Sequence, residues 1–213
     1  APELSVHFER SGDHARAITY LGLCVTRAQQ RFAHHEAIGY GQTALSLLRH
    51  VPDTPEHRRT ELDLRLARGI SLVATRGYAS EEVKENSERA RTLCEEVGDA
   101  RQLFEIVQAV WYRHQAGADE GAALRTVEEM AAIAERAGAE DLRLRAALNR
   151  GRTELFLGHF GSAVRGLVQF RERVQTEAVQ FRSDTYGVHP IYAAFAQGSV
   201  ALWFHGRPDQ ARA

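Results

Sequence analysis

Eight short breaks divide this chain, and every one carries glycine or proline: SGD at 11–13, VPDTPEH at 51–57, RGYAS at 76–80, VGDA at 97–100, QAGAD at 115–119, RAGAE at 136–140, LGHFG at 157–161 and HGRPD at 205–209. Glycine closes a helix in a left-handed C-cap, and proline withholds the amide that a continuing helix needs. Between the breaks, apolar residues recur at three- and four-residue spacing, and the alternation of a half-buried strand is sustained nowhere. Together these features dictate an all-α chain of short amphipathic helices joined by tight turns.

The breaks are also periodic. Gly77, Gly117, Gly158 and Gly206 mark one recurring turn at intervals of 40, 41 and 48 residues. Five places beyond the last three stand Ala122, Ala163 and Ala211, and seven places before the last two stand Gly151 and Ser199, all small enough to let two helices approach closely. In the stretch 31–48, Phe32 occupies the place of the turn glycine, with Ala37 and Ala44 at small positions. This pattern resembles the tetratricopeptide repeat, a helix–turn–helix unit with small residues at the crossing and bulky ones around it. The resemblance implies a superhelix, or α-α solenoid, of about five helix pairs, with residues 1–213 as one continuous domain. GHFGSAVRGLVQF, 158–170, then reads as the turn and second helix of one unit, with Phe160 and Leu167 packing between helices. The stretch 171–190 departs from the pattern, which predicts a longer second helix and an irregular loop near 182–190. Gly22, Gly39, Gly41 and Gly69 fall inside helices, where each costs about 1 kcal/mol relative to alanine. Close packing against neighbouring helices is the expected compensation.

Charge narrows the partners. A formal net charge of −1 and an isoelectric point near 6.9 remove the bulk drive toward phosphate backbones or anionic lipid, so neither nucleic acid nor membrane is an expected partner. No apolar run reaches the roughly 20 residues that cross a bilayer, and no signal-peptide pattern opens the chain, so a cytoplasmic setting is expected. Cys24 and Cys94 lack any metal-ligand spacing and read as reduced core thiols. The chain begins at Ala1 and ends in PDQARA, where a helix has just begun, so it reads as a piece of a longer protein.

Recognisable catalytic motifs are missing from the sequence. Lys84 is the sole lysine and follows no glycine loop, which excludes a Walker A phosphate site; HExxH, GxSxG, GxGxxG and EF-hand patterns do not occur. His34 and His35 are adjacent and diverge by about 100° on a helix, so the ten histidines read as surface or capping groups, and no metal or cofactor is expected. Glu81, Glu82, Glu85 and Glu88 with Arg89 and Arg91 read as a solvated helix face. An enzyme built on the 182–190 loop, with His189, Tyr186 or Asp184, is the rival to a non-catalytic reading; one loop offers few convergent ionisable groups.

A binding face is the better candidate, because solenoids bind along the surface lined by the first helix of each unit. Nine residues before the turn glycines stand Arg68, Gln108, Asn149 and Gln197, all polar. Arg145, Asn149 and Arg152 share one helix face at i, i+4 and i+7, and Trp111 and His114 occupy equivalent places in the preceding unit. Amide, guanidinium and aromatic groups in this arrangement suit an acidic or C-terminal peptide segment. Trp203 and Phe204 are expected to be uncovered near the chain end, and homodimerisation through them is expected.

One longer stretch carries a closer likeness. VPDTPEHRRTELDLRLARGISLVATRGYASEEVKENSERARTLCEEVGD, 51–99, and YGVHPIYAAFAQGSVALWFHGRPDQA, 186–211, resemble the helical C-terminal region of large bacterial class III adenylate/guanylate cyclases that also carry an AAA-type ATPase. The resemblance implies a non-catalytic protein-interaction or regulatory module of a signalling enzyme, its partners including other domains of the parent chain. The same architecture is similar to the sensor region of LuxR-type ATP-dependent transcription regulators, which is the alternative.

Overall fold

The computed structural model describes residues 2–176 and 189–212. The described residues form eleven α-helices and one 3-10 turn, with no strand among them. In chain order these are α1 (Pro2–Arg10), α2 (His14–Gln30), α3 (His34–Leu47), the 3-10 turn Leu48–His50, α4 (Pro55–Arg76), α5 (Glu81–Val97), α6 (Ala100–Ala116), α7 (Glu120–Ala137), α8 (Glu140–Phe156), α9 (Phe160–Thr176), α10 (Pro190–Phe204) and α11 (Pro208–Arg212). The all-α helical-repeat class expected from periodicity is the class observed, and five pairs, α2/α3 through α10/α11, follow the lone α1. The predicted loop near 182–190 lies outside the described residues, apart from its last two positions.

Local chemistry sets the helix ends. Asp13, Thr54, Ser80 and Asp119 each accept a backbone N–H from the first turn of the helix that follows, satisfying donors that would otherwise lack partners. At the other ends, paired hydrogen bonds close a Schellman turn on Gly12, Phe32, Ala118, Gly138, Gly158 and Gly206. Positions 12 and 32, and again 118, 138 and 158, lie twenty residues apart, so the elementary module is one helix plus its turn.

Two sequence expectations change here. The left-handed residue after α6 is Ala118, at φ 54°, rather than Gly117, whose N–H still bonds the Arg113 carbonyl inside the helix. This moves the register by one: Ala109, not Gln108, is equivalent to Asn149, and Ala123, fully buried like Ala163, replaces Ala122 as the equivalent alanine. Phe32, by contrast, does stand in for glycine, at φ 57° and with its ring exposed. Among the helical glycines, a Cβ on Gly41 would lie 3.4 Å from the Arg68 stem and one on Gly69 3.3 Å from Asn86, whereas Gly39 meets nothing within 4 Å. Close packing therefore accounts for Gly41 and Gly69 and not for Gly39.

The chain divides into two compact units, Ala1–Ile106 and Val107–Ala213, with the division inside α6. In the first, consecutive helices from α1 to α5 pack on one another and α2 also meets α4. Its core joins Ala17, Ile18, Leu21 and Leu47 to Leu64, with Leu62, Leu93, Cys94 and Ile106 further along. In the second, α7 through α11 pack in sequence and α8 also meets α10, around Leu144, Leu148, Leu167, Phe170 and Leu202. Gly151 is the tightest crossing: a Cβ there would stand 3.0 Å from Leu167 Cγ, which ties α8 to α9. Leu167 is core, and Phe160 is half-buried, its ring stacked on Phe204 at 5.2 Å. None of the helices in the described residues is long and apolar enough to cross a membrane.

Candidate partner-binding site

The predicted polar stripe falls on both units. In the second, helical spacing places Arg145, Asn149 and Arg152 on one side of α8, and the C-terminal half of α6 supplies Gln108, Trp111 and Tyr112 opposite them. Arg145 Nη2 donates to Gln108 Oε1. Arg152 Nη1 donates to Tyr112 Oη and to Asn149 Oδ1, each at 3.3 Å. Its guanidinium lies 4.5 Å from the Trp111 ring centroid and 5.3 Å from that of Tyr112, a double cation-π contact. Trp111 is fully buried and donates through Nε1 to Thr153 Oγ1 at 3.0 Å, and Thr153 in turn donates to the Asn149 carbonyl. Asn149 Nδ2 meets Met130 Sδ of α7 at 3.9 Å. Arg152 Nε is buried without a hydrogen-bond partner.

Gln108, Tyr112, Arg145, Asn149 and Arg152 line a small recess shared with Leu148, Pro190 and Ala193. Gln108, Arg145 and Asn149 are buried, so the stripe is a packed network with Arg152 at its half-exposed end. Gln197 of α10 is half-buried with Oε1 unpaired, and among the described residues it makes no hydrogen bond to the α6/α8 network. His114 is half-buried near the end of α6, and burial pushes its pKa down, which favours the neutral imidazole. Sequence reasoning misses Tyr112 and Thr153: Tyr112 reads as another core aromatic, and nothing in the sequence pairs Thr153 with an indole 42 positions away.

Arg68 sits in the first unit, within α4. It is buried, donates through Nη2 to Glu82 at 2.6 Å and through Nη1 to Asn86 at 3.4 Å, and leaves Nε without a partner. Burial lowers its pKa and the Glu82 carboxylate opposes that shift. Glu82 and Arg89 thus do not belong to a merely solvated face: Arg89 reaches back to Glu61 of α4 with two hydrogen bonds, at 3.1 and 2.9 Å. Burial tends to raise the Glu61 pKa, but hydrogen bonds from Arg89 and Arg65 outweigh it and hold the carboxyl below the usual glutamate range.

Of the rival enzyme residues, Tyr186 and Asp184 lie outside the described residues, and His189 precedes α10 with Nδ1 buried and unpaired. Cys24 and Cys94 are free and buried. Trp203 and Phe204 are exposed, at 54% and 61% of their full surface.

No protein-family model matches the chain, and no curated protein matches it by sequence. Solved structures do. A Podosopora anserina chain described as a kinesin light chain with nearly identical TPR-like repeats superposes with a TM-score of 0.64 at 14% identity, covering 92% of this chain and 90% of that one. A point variant of that same Podosopora anserina chain gives 0.66 at 14% identity over 92% and 89%. The apo form of RapI gives 0.68 at 16% identity, over 96% of this chain and 56% of RapI. At such identities the likeness is one of fold, and the fold is a tetratricopeptide-like helical repeat.

Proposed function

We propose that this chain is a non-catalytic protein-interaction module whose α6/α8 network receives an acidic or C-terminal peptide segment. The observation that carries the reading is Arg152, its guanidinium held against two aromatic rings and an amide at the half-exposed end of the stripe. A carboxylate placed there gains charge-assisted hydrogen bonds from a guanidinium already fixed in position, so little side-chain freedom is lost on binding. Helical repeats of this fold present such faces to extended segments.

The test is affinity for acidic and free-C-terminal peptides in wild type, Arg152→Gln and an Arg145→Ala, Arg152→Ala double variant. Losing a desolvated charge contact costs about 2 to 5 kcal/mol, so the expected result is a large loss of affinity. Unchanged affinity in Arg152→Gln, the variant that leaves the buried Arg145 pair intact, removes the site. Self-association through Trp203 and Phe204 belongs to the same reading and makes the measured mass rise with concentration.

For the parent protein, the stretches 51–99 and 186–211 support the C-terminal region of an adenylate/guanylate cyclase signalling protein, and the shared helical architecture supports the sensor region of a LuxR-type regulator as the alternative. Gene sequence on both sides separates them: cyclase and ATPase domains upstream favour the first, a helix-turn-helix domain downstream the second.

A further inference from the structure

The first unit contains a cleft of about 550 Å³, separate from the α6/α8 network, bounded by α3, the 3-10 turn and its following loop, α4 and α5. Its volume lies within the range of small-ligand sites, about 300 to 1,000 Å³. One wall is apolar: Leu45, Leu48 and Val51 are half-buried, their other sides covering the core. The rest of the lining includes guanidinium groups from α4 and α5, with Arg49 on the 3-10 turn beside Leu48.

Bonding within the cleft leaves guanidinium donors in excess. Arg58 is matched by Asp53 and Glu96, and Arg68 by Glu82. Arg65 and Arg89 both lean on the single carboxylate of Glu61, Arg65 through Nε at 2.7 Å and Arg89 through Nε and Nη2. Among the described residues, that leaves both Nη groups of Arg65 without an acceptor and Arg49 exposed with no ion pair. Arg68 adds one more donor to the lining: it is nine-tenths buried, and Nε has no partner among the described residues. Glu85 is the one acid on the lining with no ion pair among the described residues, so the formal charges come out close to even and what is left over is unsatisfied donors.

We propose that this cleft binds a small organic anion, its phosphate or carboxylate head on Arg49 and Arg65 and its apolar body on Leu45, Leu48 and Val51. A ligand with a charged end and a greasy end satisfies both the guanidinium groups and the apolar residues of the lining. Arg65 is held by Glu61 from one side, which presents its remaining Nη donors in a fixed fork suited to an oxyanion. The proposal is independent of the α6/α8 reading, since none of its residues belongs to that network.

The test is calorimetric titration of the whole 213-residue chain with phenyl phosphate, 3-phenylpropanoate, inorganic phosphate and benzyl alcohol. Saturable binding of phenyl phosphate or 3-phenylpropanoate is expected, weaker binding of inorganic phosphate, and none of benzyl alcohol. The first two arms distinguish a phosphate from a carboxylate head. Arg49→Gln is expected to weaken binding about tenfold, as does the loss of a hydrogen bond to a charged group, and Leu48→Ser is expected to weaken the two aromatic anions while sparing inorganic phosphate. Arg49 carries no structural ion pair, so its variant folds as wild type does, which circular dichroism checks. Absence of saturable binding by both aromatic anions at millimolar concentration overturns the proposal, as does binding that Arg49→Gln leaves unchanged.

Discussion

At the scale of single residues, two of the six Schellman turns place a side chain where glycine is cheapest. A left-handed conformation costs an L-residue about 1 to 2 kcal/mol relative to glycine, and both Phe32 and Ala118 adopt it. Ala118→Gly is therefore expected to stabilise the protein by about 1 kcal/mol, and Gly158→Ala to destabilise it by a similar amount. The second change is a clean measure of backbone strain, because a Cβ at Gly158 meets no atom within 4 Å. Urea unfolding midpoints of the two variants check the pair, and a shift of the same sign in both would contradict the assignment. These turns also show how far the sequence can be read. Gly158 and Gly206 identify themselves, whereas Gly117 draws attention from its neighbour: a glycine one residue too early is still the most conspicuous letter in QAGAD. Phe32 is found through the spacing of Ala37 and Ala44, because periodicity records a turn even where its residue does not.

Pairs of helices are joined by more than apolar contact. The α4/α5 pair is bridged by Glu61 with Arg65 and Arg89, and by Arg68 with Glu82 and Asn86, and Asn86 Nδ2 also donates to the Arg65 carbonyl at 2.9 Å. Since the folded Glu61 carboxyl ionises below the ordinary glutamate value, its contribution to stability is complete above about pH 4.3 and disappears as pH falls through the lower folded value. Replacing Glu61 by Gln should lower stability at neutral pH and flatten the acid side of the stability curve. Denaturant unfolding between pH 3 and about 7 measures this, and an acid limb as steep in the variant as in wild type would remove Glu61 from the account. The sequence shows a run of charges on α5 but not its targets. Charge pairing along one helix follows from i, i+4 spacing, while pairing across helices depends on which faces meet, and that is settled by packing of Leu62 against Ala90 and Leu93. The α6/α8 network is legible in part for the same reason: Arg145, Asn149 and Arg152 share a face by arithmetic, yet their burial and the Trp111–Thr153 bond require the tertiary contact.

For the molecule as a whole, the expectation of one continuous domain becomes a statement about cooperativity. Cys94 reports on the first unit and Trp111 on the second, while α6 runs through the division between them. Burial, with the nearby Asp99 and Glu95 charges, pushes the Cys94 thiol up to about 11, so at pH 8 the folded protein should react slowly with a thiol reagent and the unfolded chain quickly. In a Cys24→Ser, Trp203→Phe background, where single probes remain, Cys94 labelling and Trp111 fluorescence should share one urea midpoint. Separate midpoints would make the two units independent domains.

The twenty-residue step between turns has a meaning for the history of the gene. Positions 118, 138 and 158 close the same hydrogen-bonded turn, so excising residues 119–158 would join Ala118 to His159, a junction with the bonding of the one it replaces. Unequal crossing-over in multiples of sixty nucleotides can therefore lengthen or shorten such a chain while every surviving turn keeps its phase. The 48-residue interval before Gly206 and the 86-residue interval between Phe32 and Ala118 are no multiples of that step, so such an exchange keeps phase only within 118–158 and 12–32.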